Sequence, residues 1–288
     1  MAAVKLSDIT SVGRAIDPHY PTNRAIVLLA LVVFLVGTAL RLLEGGAWGA
    51  SLGWGLGAAF SVFLAWALGR ELDPDHPLSA FVAAGLVLAG LFLFHLPELL
   101  PLFWMLVLLR IVDRSVGLPA RIWDSLGLLA LGAWLGWQGT WIYGPITAVA
   151  FLLDAVLPPT GRRQLILAVV ALLFAIVTLA LRGTLRGPGD LPLLATLAVL
   201  AMSALFVLVA VSSRRLRTVG DATGLPLHPP RVQAGQGLAL LFALLLAWWA
   251  GSDGVMSLLP LWAAILGTGL VALLLPLLFQ FQKGDLGS

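Results

Sequence analysis

The densest run of polar chemistry in the sequence is Arg70, Glu71, Asp73, Asp75 and His76. Carboxylates and an imidazole this close together could hold Mg²⁺ or Mn²⁺ through oxygen ligands, and the adjacent arginine could grip a phosphate. Glu71, Asp73, Asp75 and His76 are therefore the candidate metal ligands. Asp73, Asp75 and His76 are the candidate catalytic residues of an enzyme working on a lipid or polyprenyl headgroup. A divalent metal is expected only under that reading, and the run has no Asp-rich spacing of the prenyl-diphosphate kind. Pro74 and Pro77 stiffen the segment and limit how many side chains can converge, so the competing expectation is a solvated turn.

Substrate-binding candidates are Arg70, His95, Glu98, Arg110 and Asp113. His95 and Glu98 flank Pro97 at the tip of a short apolar pair. A tip at the membrane surface makes them ordinary interfacial residues, and that is the favoured expectation. A re-entrant tip would place them inside the bilayer, where ionisable groups are costly and functional by default.

Arg70, Arg110 and Asp113 also belong to matched segments. Residues 13–21 read GRAIDPHYP and residues 69–77 read GRELDPDHP; residues 109–119 read LRIVDRSVGLP and residues 216–226 read LRTVGDATGLP. Leucine bias cannot produce such matches, and a repeating helix pair is the expected unit. The bland reading of these segments is local: Asp caps the next helix or pairs with its own Arg, and Pro and Gly shape the turn.

The elements that carry these residues must lie in lipid. Of the 288 residues, 60% are hydrophobic and 11% charged, with a mean hydropathy of +1.01; soluble domains run at roughly 45–50% and 25%. Such a chain cannot cover a folded surface with polar groups. With no cysteine, disulfides, thiolate nucleophiles and cysteine-held metals are excluded. A net charge of +3 spread over several loops is too thin for a nucleic-acid surface.

Continuous apolar runs, rather than alternating ten-residue segments, predict an all-α polytopic membrane protein. The spans fall near 25–43, 47–69, 78–95, 97–112, 123–139, 141–157, 164–182, 191–212, 234–251 and 255–279. That makes about ten crossings built from repeated hairpins, or eight if one of the short pairs, 78–112 or 123–157, is re-entrant. Residues 1–24 are read as a cytoplasmic segment, 25–279 as a single transmembrane domain and 280–288 as a cytoplasmic tail. The run after Arg24 is too long, and follows too long a polar segment, for a cleavable signal.

Lys5, Arg14, Arg24, Arg70, Arg110, Arg114, Arg121, Arg162, Arg163, Arg214, Arg215, Arg217, Arg231 and Lys283 lie on the side of the amino terminus. Arg41, Arg182 and Arg186 lie on the other. The asymmetry predicts an inner-membrane protein with both termini cytoplasmic. Asp124, Asp154 and Arg110 fall within about a turn of the cytoplasmic ends, where water is expected to reach them. Trp48, Trp137, Trp141, Trp248 and Trp249 fall near outer ends and read as an aromatic belt, with Trp134, Trp137 and Trp141 sharing a helix face.

Gly45, Gly49, Gly53, Gly57 and Ser61, one small residue every four positions, predict a helix-packing face. A weaker version recurs at Gly132, Gly136 and Thr140. The expected partners are the bilayer itself, anionic lipids at the loop carrying Arg214, Arg215, Arg217, His228 and Arg231, and a membrane-protein partner or a second copy. Three functions follow: a permease for a small or lipid-like solute, ranked first; a headgroup enzyme at the cytoplasmic face; and an assembly subunit of a membrane complex.

Overall fold

A computed structural model describes residues 10–14, 16–182 and 188–285, with side chains as far as residue 274. Lys5, Arg186 and the side chain of Lys283, used above for sidedness, lie outside the described residues. The described chain is all-α: α1 (Pro21–Leu43), α2 (Trp48–Leu72), α3 (Pro77–Gly90), α4 (Leu99–Asp113), α5 (Ile122–Gln138), α6 (Tyr143–Val156), α7 (Arg162–Arg182), α8 (Leu193–Ser212), α9 (Pro229–Ser257) and α10 (Leu259–Asp285). Proline opens α1, α3 and α9, where its missing N–H removes nothing from the helix.

α1, α2, α7, α8 and α9 are each long and apolar enough to cross a bilayer. Leu28, Leu31 and Leu35 of α1 and Leu193, Leu197 and Leu200 of α8 are turned away from the protein. In water each exposed leucine would forfeit about 1.5–3 kcal/mol of burial, whereas lipid tails receive it at no cost. The chain is a multi-pass membrane protein. α3 and α6 have 14 residues each and rise about 21 Å, short of a hydrocarbon core of about 30 Å.

The helices fall into two compact units. One takes in Leu100–Leu191, Arg214–Val255 and the described residues before Pro18; the other takes in Pro18–Leu99, Pro192–Ser213 and the chain from Met256 onward. The stretch 78–112, read as one hairpin, is thus divided between units at Leu99, while 123–157 stays in one unit as α5 and α6.

In the second unit, α2 packs against α1, α3 and α10. The close approaches are made by Gly55, whose Cα side faces Phe34 O and Thr38 of α1, and by Gly69, which lies on the backbone of Ala80 in α3. These are not the glycines of the four-residue ladder. Gly49 and Gly53 face open space, and Gly57 touches only the side chain of Leu96. Ser61 is buried and donates to Gly57 O in its own helix. Gly45 precedes α2 altogether: at φ 84° it ends α1, with Gly45 N donating to Leu42 O and Gly46 N to Arg41 O, a left-handed cap that only glycine adopts cheaply. Gly53 and Gly55 stand two positions apart, about 200° around the helix, so Gly49 and Gly53 point away from the packed side, while the ladder turns inward toward buried Ser61.

The first unit is centred on Trp104 of α4, Tyr143 of α6 and Phe242 of α9, all buried, with ring centroids 5.2 to 5.6 Å apart. α6 packs on α7, and α5 on both. α5 ends at Gln138, so Trp141 sits in the following loop and does not share a helix face with Trp134 and Trp137. It meets Trp249 edge-on at 5.8 Å instead. α9 breaks at Gly251, where φ is 60° and ψ is −136°. Gly189 N donates to Trp248 O at 2.9 Å and Ser252 N to Asp190 O at 3.0 Å, so the 188–190 backbone satisfies the groups that the break releases. The span boundary read at 251 coincides with this break.

Candidate anion-binding site

Helices end with unpaired carbonyls and a partial negative charge, and a buried cation can answer both. Arg231, in the first turn of α9 and 1% exposed, does so for α6 and α4 together. Its Nε donates to Pro158 O at 2.8 Å, and Nη1 to Val112 O at 2.9 Å and Asp154 Oδ1 at 2.8 Å. Nη2 donates to the carbonyls of Asp154, Leu157 and Pro159. Only the planar five-donor fork of arginine can serve so many acceptors at once. Asp154 also accepts from Arg114, Nε at 2.9 Å and Nη2 at 2.8 Å. Arg114 follows directly on α4 with φ 51°, a left-handed backbone that costs a non-glycine residue about 1–2 kcal/mol and here turns its side chain onto Asp154.

Two expectations are corrected by this cluster. Asp154 is not within reach of water: it is 1% exposed, because Arg114 and Arg231 close over it. Arg231 is not available to anionic lipids, since its donors are taken up inside the fold, whereas Arg214, Arg215 and Arg217 of the same loop are exposed.

Two of the matched segments meet beside the cluster. Ala222 N donates to Val116 O at 2.9 Å, and Asp221 N to Ser115 O at 3.4 Å. Gly117 and Gly224, at corresponding positions of the two segments, both have positive φ, 93° and 65°, so the shared Gly-Leu-Pro marks the same turn. Arg14 Nη2 donates to Asp221 Oδ1 at 2.9 Å, and Arg110 Nη1 to Val12 O at 3.1 Å. Thr10 Oγ1 and Ser11 N donate to Asp124 at 2.6 and 2.7 Å. Arg14 and Arg110 therefore tie distant segments together rather than serving only their own turns.

Between these loops lies a cleft of about 630 Å³. Arg114, Arg162, Arg163 and Arg231 line it together with His228, against the carboxylates of Asp113 and Asp154. The arginine excess gives it a positive potential. One wall is the start of α7, where Gly161, Arg162, Arg163 and Gln164 line the cleft. Arg163 donates to Ala120 O, and Gln164, 3% exposed, donates from Nε2 to Ser125 Oγ at 3.1 Å.

Of the candidates chosen from sequence, Asp113 alone lines this cleft; it is buried, its carboxylate lying against Gly235 of α9 where no Cβ would fit. Of the four motif aspartates only Asp113 lines the cleft; Asp221 takes Arg14, and Asp73 belongs to the other unit. There Asp73 Oδ1 lies 2.9 Å from His76 Nδ1, and burial pushes its carboxyl above the usual carboxylate range, partly offset by the His76 hydrogen bond. Glu71 is buried in the last turn of α2, Asp75 is half-buried in the turn, and the Arg70 guanidinium lies 5.8 Å from the Trp66 ring.

Among the described residues no three His, Asp or Glu side chains come together as a metal would require, so the ligand set expected at Glu71, Asp73, Asp75 and His76 does not assemble. Asp73 and His76 meet, but among the described residues no further carboxylate joins them. His95 and Glu98 are exposed in the turn before α4, where Glu98 N donates to Ser257 O at 3.2 Å.

Sequence reasoning missed Arg114, Arg162, Arg163, Gln164 and Asp154 as one constellation. Their common signal was sidedness: all fall at connections on the arginine-rich side. The chain matches no protein-family model, no curated protein and no solved structure.

Proposed function

We propose that the chain is an inner-membrane permease for an anionic solute, small or lipid-like, which it binds from the cytoplasm in the arginine-lined cleft. The observation that carries this reading is the cleft itself: Arg162, Arg163 and the start of α7 stand beside the paired Arg114, Arg231 and Asp154 around about 630 Å³. That volume is in the range of sites that enclose small ligands, and its charge favours anions. The reading takes the chain as crossing the bilayer about ten times, or eight with one re-entrant pair, with both termini cytoplasmic. The excess of arginine on the amino-terminal side supports that orientation. A headgroup enzyme at Asp73, Asp75 and His76 has less support, because among the described residues Asp73 and His76 meet without a third ligand.

Reconstitution into liposomes tests transport. Wild-type protein is expected to speed both uptake of glycerol 3-phosphate and transbilayer movement of fluorescent phosphatidylglycerol, or one of the two. Arg162→Gln combined with Arg163→Gln is expected to lower that rate about tenfold or more, as charge-assisted contacts are lost. Rates equal to protein-free liposomes for both compounds would end the permease reading.

A further inference from the structure

We infer that the hairpin over residues 218–227 is a lid on the arginine-lined cleft, and that Arg14, in the residues before α1, is its latch. Its role as a gate rests on the cleft being the solute site proposed above; the lid and latch rest on the fold. The hairpin closes on its own hydrogen bonds. Leu227 N donates to Thr218 O at 3.0 Å, Gly220 N to Leu225 O at 2.8 Å and Gly224 N to Gly220 O at 2.8 Å. Thr223, Leu225, Pro226 and Leu227 line the cleft, so the position of the hairpin sets how wide the cleft stands open.

Base and tip are held differently. At the base Leu227 is buried, and the chain runs directly into α9, which Arg231 fastens to the ends of α4 and α6. The tip, residues 221–226, is exposed throughout and rests on the turn after α4. A Cβ on Gly117 would run into the Thr223 side chain, and one on Gly220 would lie 2.8 Å from Gly117 Cα, so glycine at both positions lets the tip seat. The contacts that hold it there are polar. Ala222 N donates to Val116 O at 2.9 Å, Asp221 N to Ser115 O at a long 3.4 Å, and Asp221 pairs with Arg14. The segment carrying Arg14 is itself moored, because Thr10 and Ser11 donate to Asp124 at the start of α5 and Arg110 donates to Val12 O. Segments held by a few surface hydrogen bonds open ahead of elements that bury apolar side chains. The side chains of the pair are 21% and 41% exposed, so salt screens it and it binds weakly. A latch of that strength keeps the lid down and still lets it lift.

The test first reads lid opening without any solute. Leu227→Cys supplies the only thiol of the chain, and the full chain in phosphatidylcholine nanodiscs is treated with an uncharged maleimide. Labelling is expected to run about fivefold faster when Asp221→Asn or Arg14→Gln is added. Adding both is expected to bring no further gain, because the two side chains act as one contact. Raising salt from about 0.1 to 1 M is expected to speed labelling in the parent and not in these variants. Should Leu227→Cys fail to fold, hydrogen exchange at the Ala222 amide gives the same comparison in the otherwise native chain. Stopped-flow binding of glycerol 3-phosphate then reads the gate. Entry and release are both expected to rise about fivefold in Asp221→Asn while the affinity holds, a split that damage to the site itself would not give. Labelling and exchange that neither variant changes overturn the latch. Faster labelling with unchanged entry and release overturns the gate. If neither glycerol 3-phosphate nor inorganic phosphate binds, the solute-site reading falls, while faster labelling in the variants leaves the lid and its latch standing.

Discussion

Replacing Arg231 by methionine is expected to unfold the first unit, with a loss on the order of 3–5 kcal/mol, the usual result of breaking a buried ion pair from one side. Methionine fills a similar volume but withdraws every donor that Arg231 supplies to Asp154, Val112, Leu157, Pro158 and Pro159. Asp154 keeps Arg114, yet the carbonyls ending α6 lose their cation. Arg231→Lys is expected to recover little, because an ammonium cannot reach acceptors spread around a planar fork. Thermal unfolding of the detergent-solubilised protein, followed through tryptophan fluorescence, measures the effect. An unchanged transition for Arg231→Met would show that the cluster does not hold the helix ends together.

A second large effect separates two glycines only two positions apart. Gly55→Ala places a methyl carbon at 2.2 Å from Thr38 Oγ1 and 2.7 Å from Phe34 O, a backbone atom that moves only if α1 moves. Gly53→Ala meets nothing within 4 Å. Overpacking at Gly55 is expected to cost about 1–3 kcal/mol; at Gly53 alanine is expected to be neutral or slightly stabilising through helix propensity. Unfolding of both variants in mixed micelles gives the comparison. Equal losses would return the packing face to the ladder of Gly49, Gly53 and Gly57.

These two cases also mark what the sequence could and could not convey. Helix placement was legible in the long apolar runs, but α1 and α9 begin at Pro21 and Pro229, ahead of the runs read from 25 and 234, because the polar first turn of each helix carries no apolar signal. The break at Gly251 was legible as a boundary, though not its docking by residues 188–190, which are remote in sequence. Gly55 was invisible because periodicity finds a face without saying whether a neighbour arrives there; the ladder's regular spacing outweighed a lone glycine on the packed side.

Asp113 was flagged through a repeated motif and does line the cleft, whereas Asp73 was flagged by local density, and density says nothing about direction. Arg231 was read as a free cation because a basic residue in a polar loop usually is one. Only the meeting of α4, α6 and α9 turns it inward.

The central claim is that the helices cross a bilayer with the cleft on the cytoplasmic side. Because the chain has no cysteine, each introduced thiol is a unique reporter. Gly161→Cys at the cleft, Arg215→Cys in the loop before α9 and Glu44→Cys between α1 and α2 can be treated with a membrane-impermeant maleimide, first on intact cells and then after permeabilisation. The account predicts labelling of Glu44→Cys in intact cells, and of Gly161→Cys and Arg215→Cys only once the membrane is opened. Labelling of Gly161→Cys or Arg215→Cys from outside would contradict it.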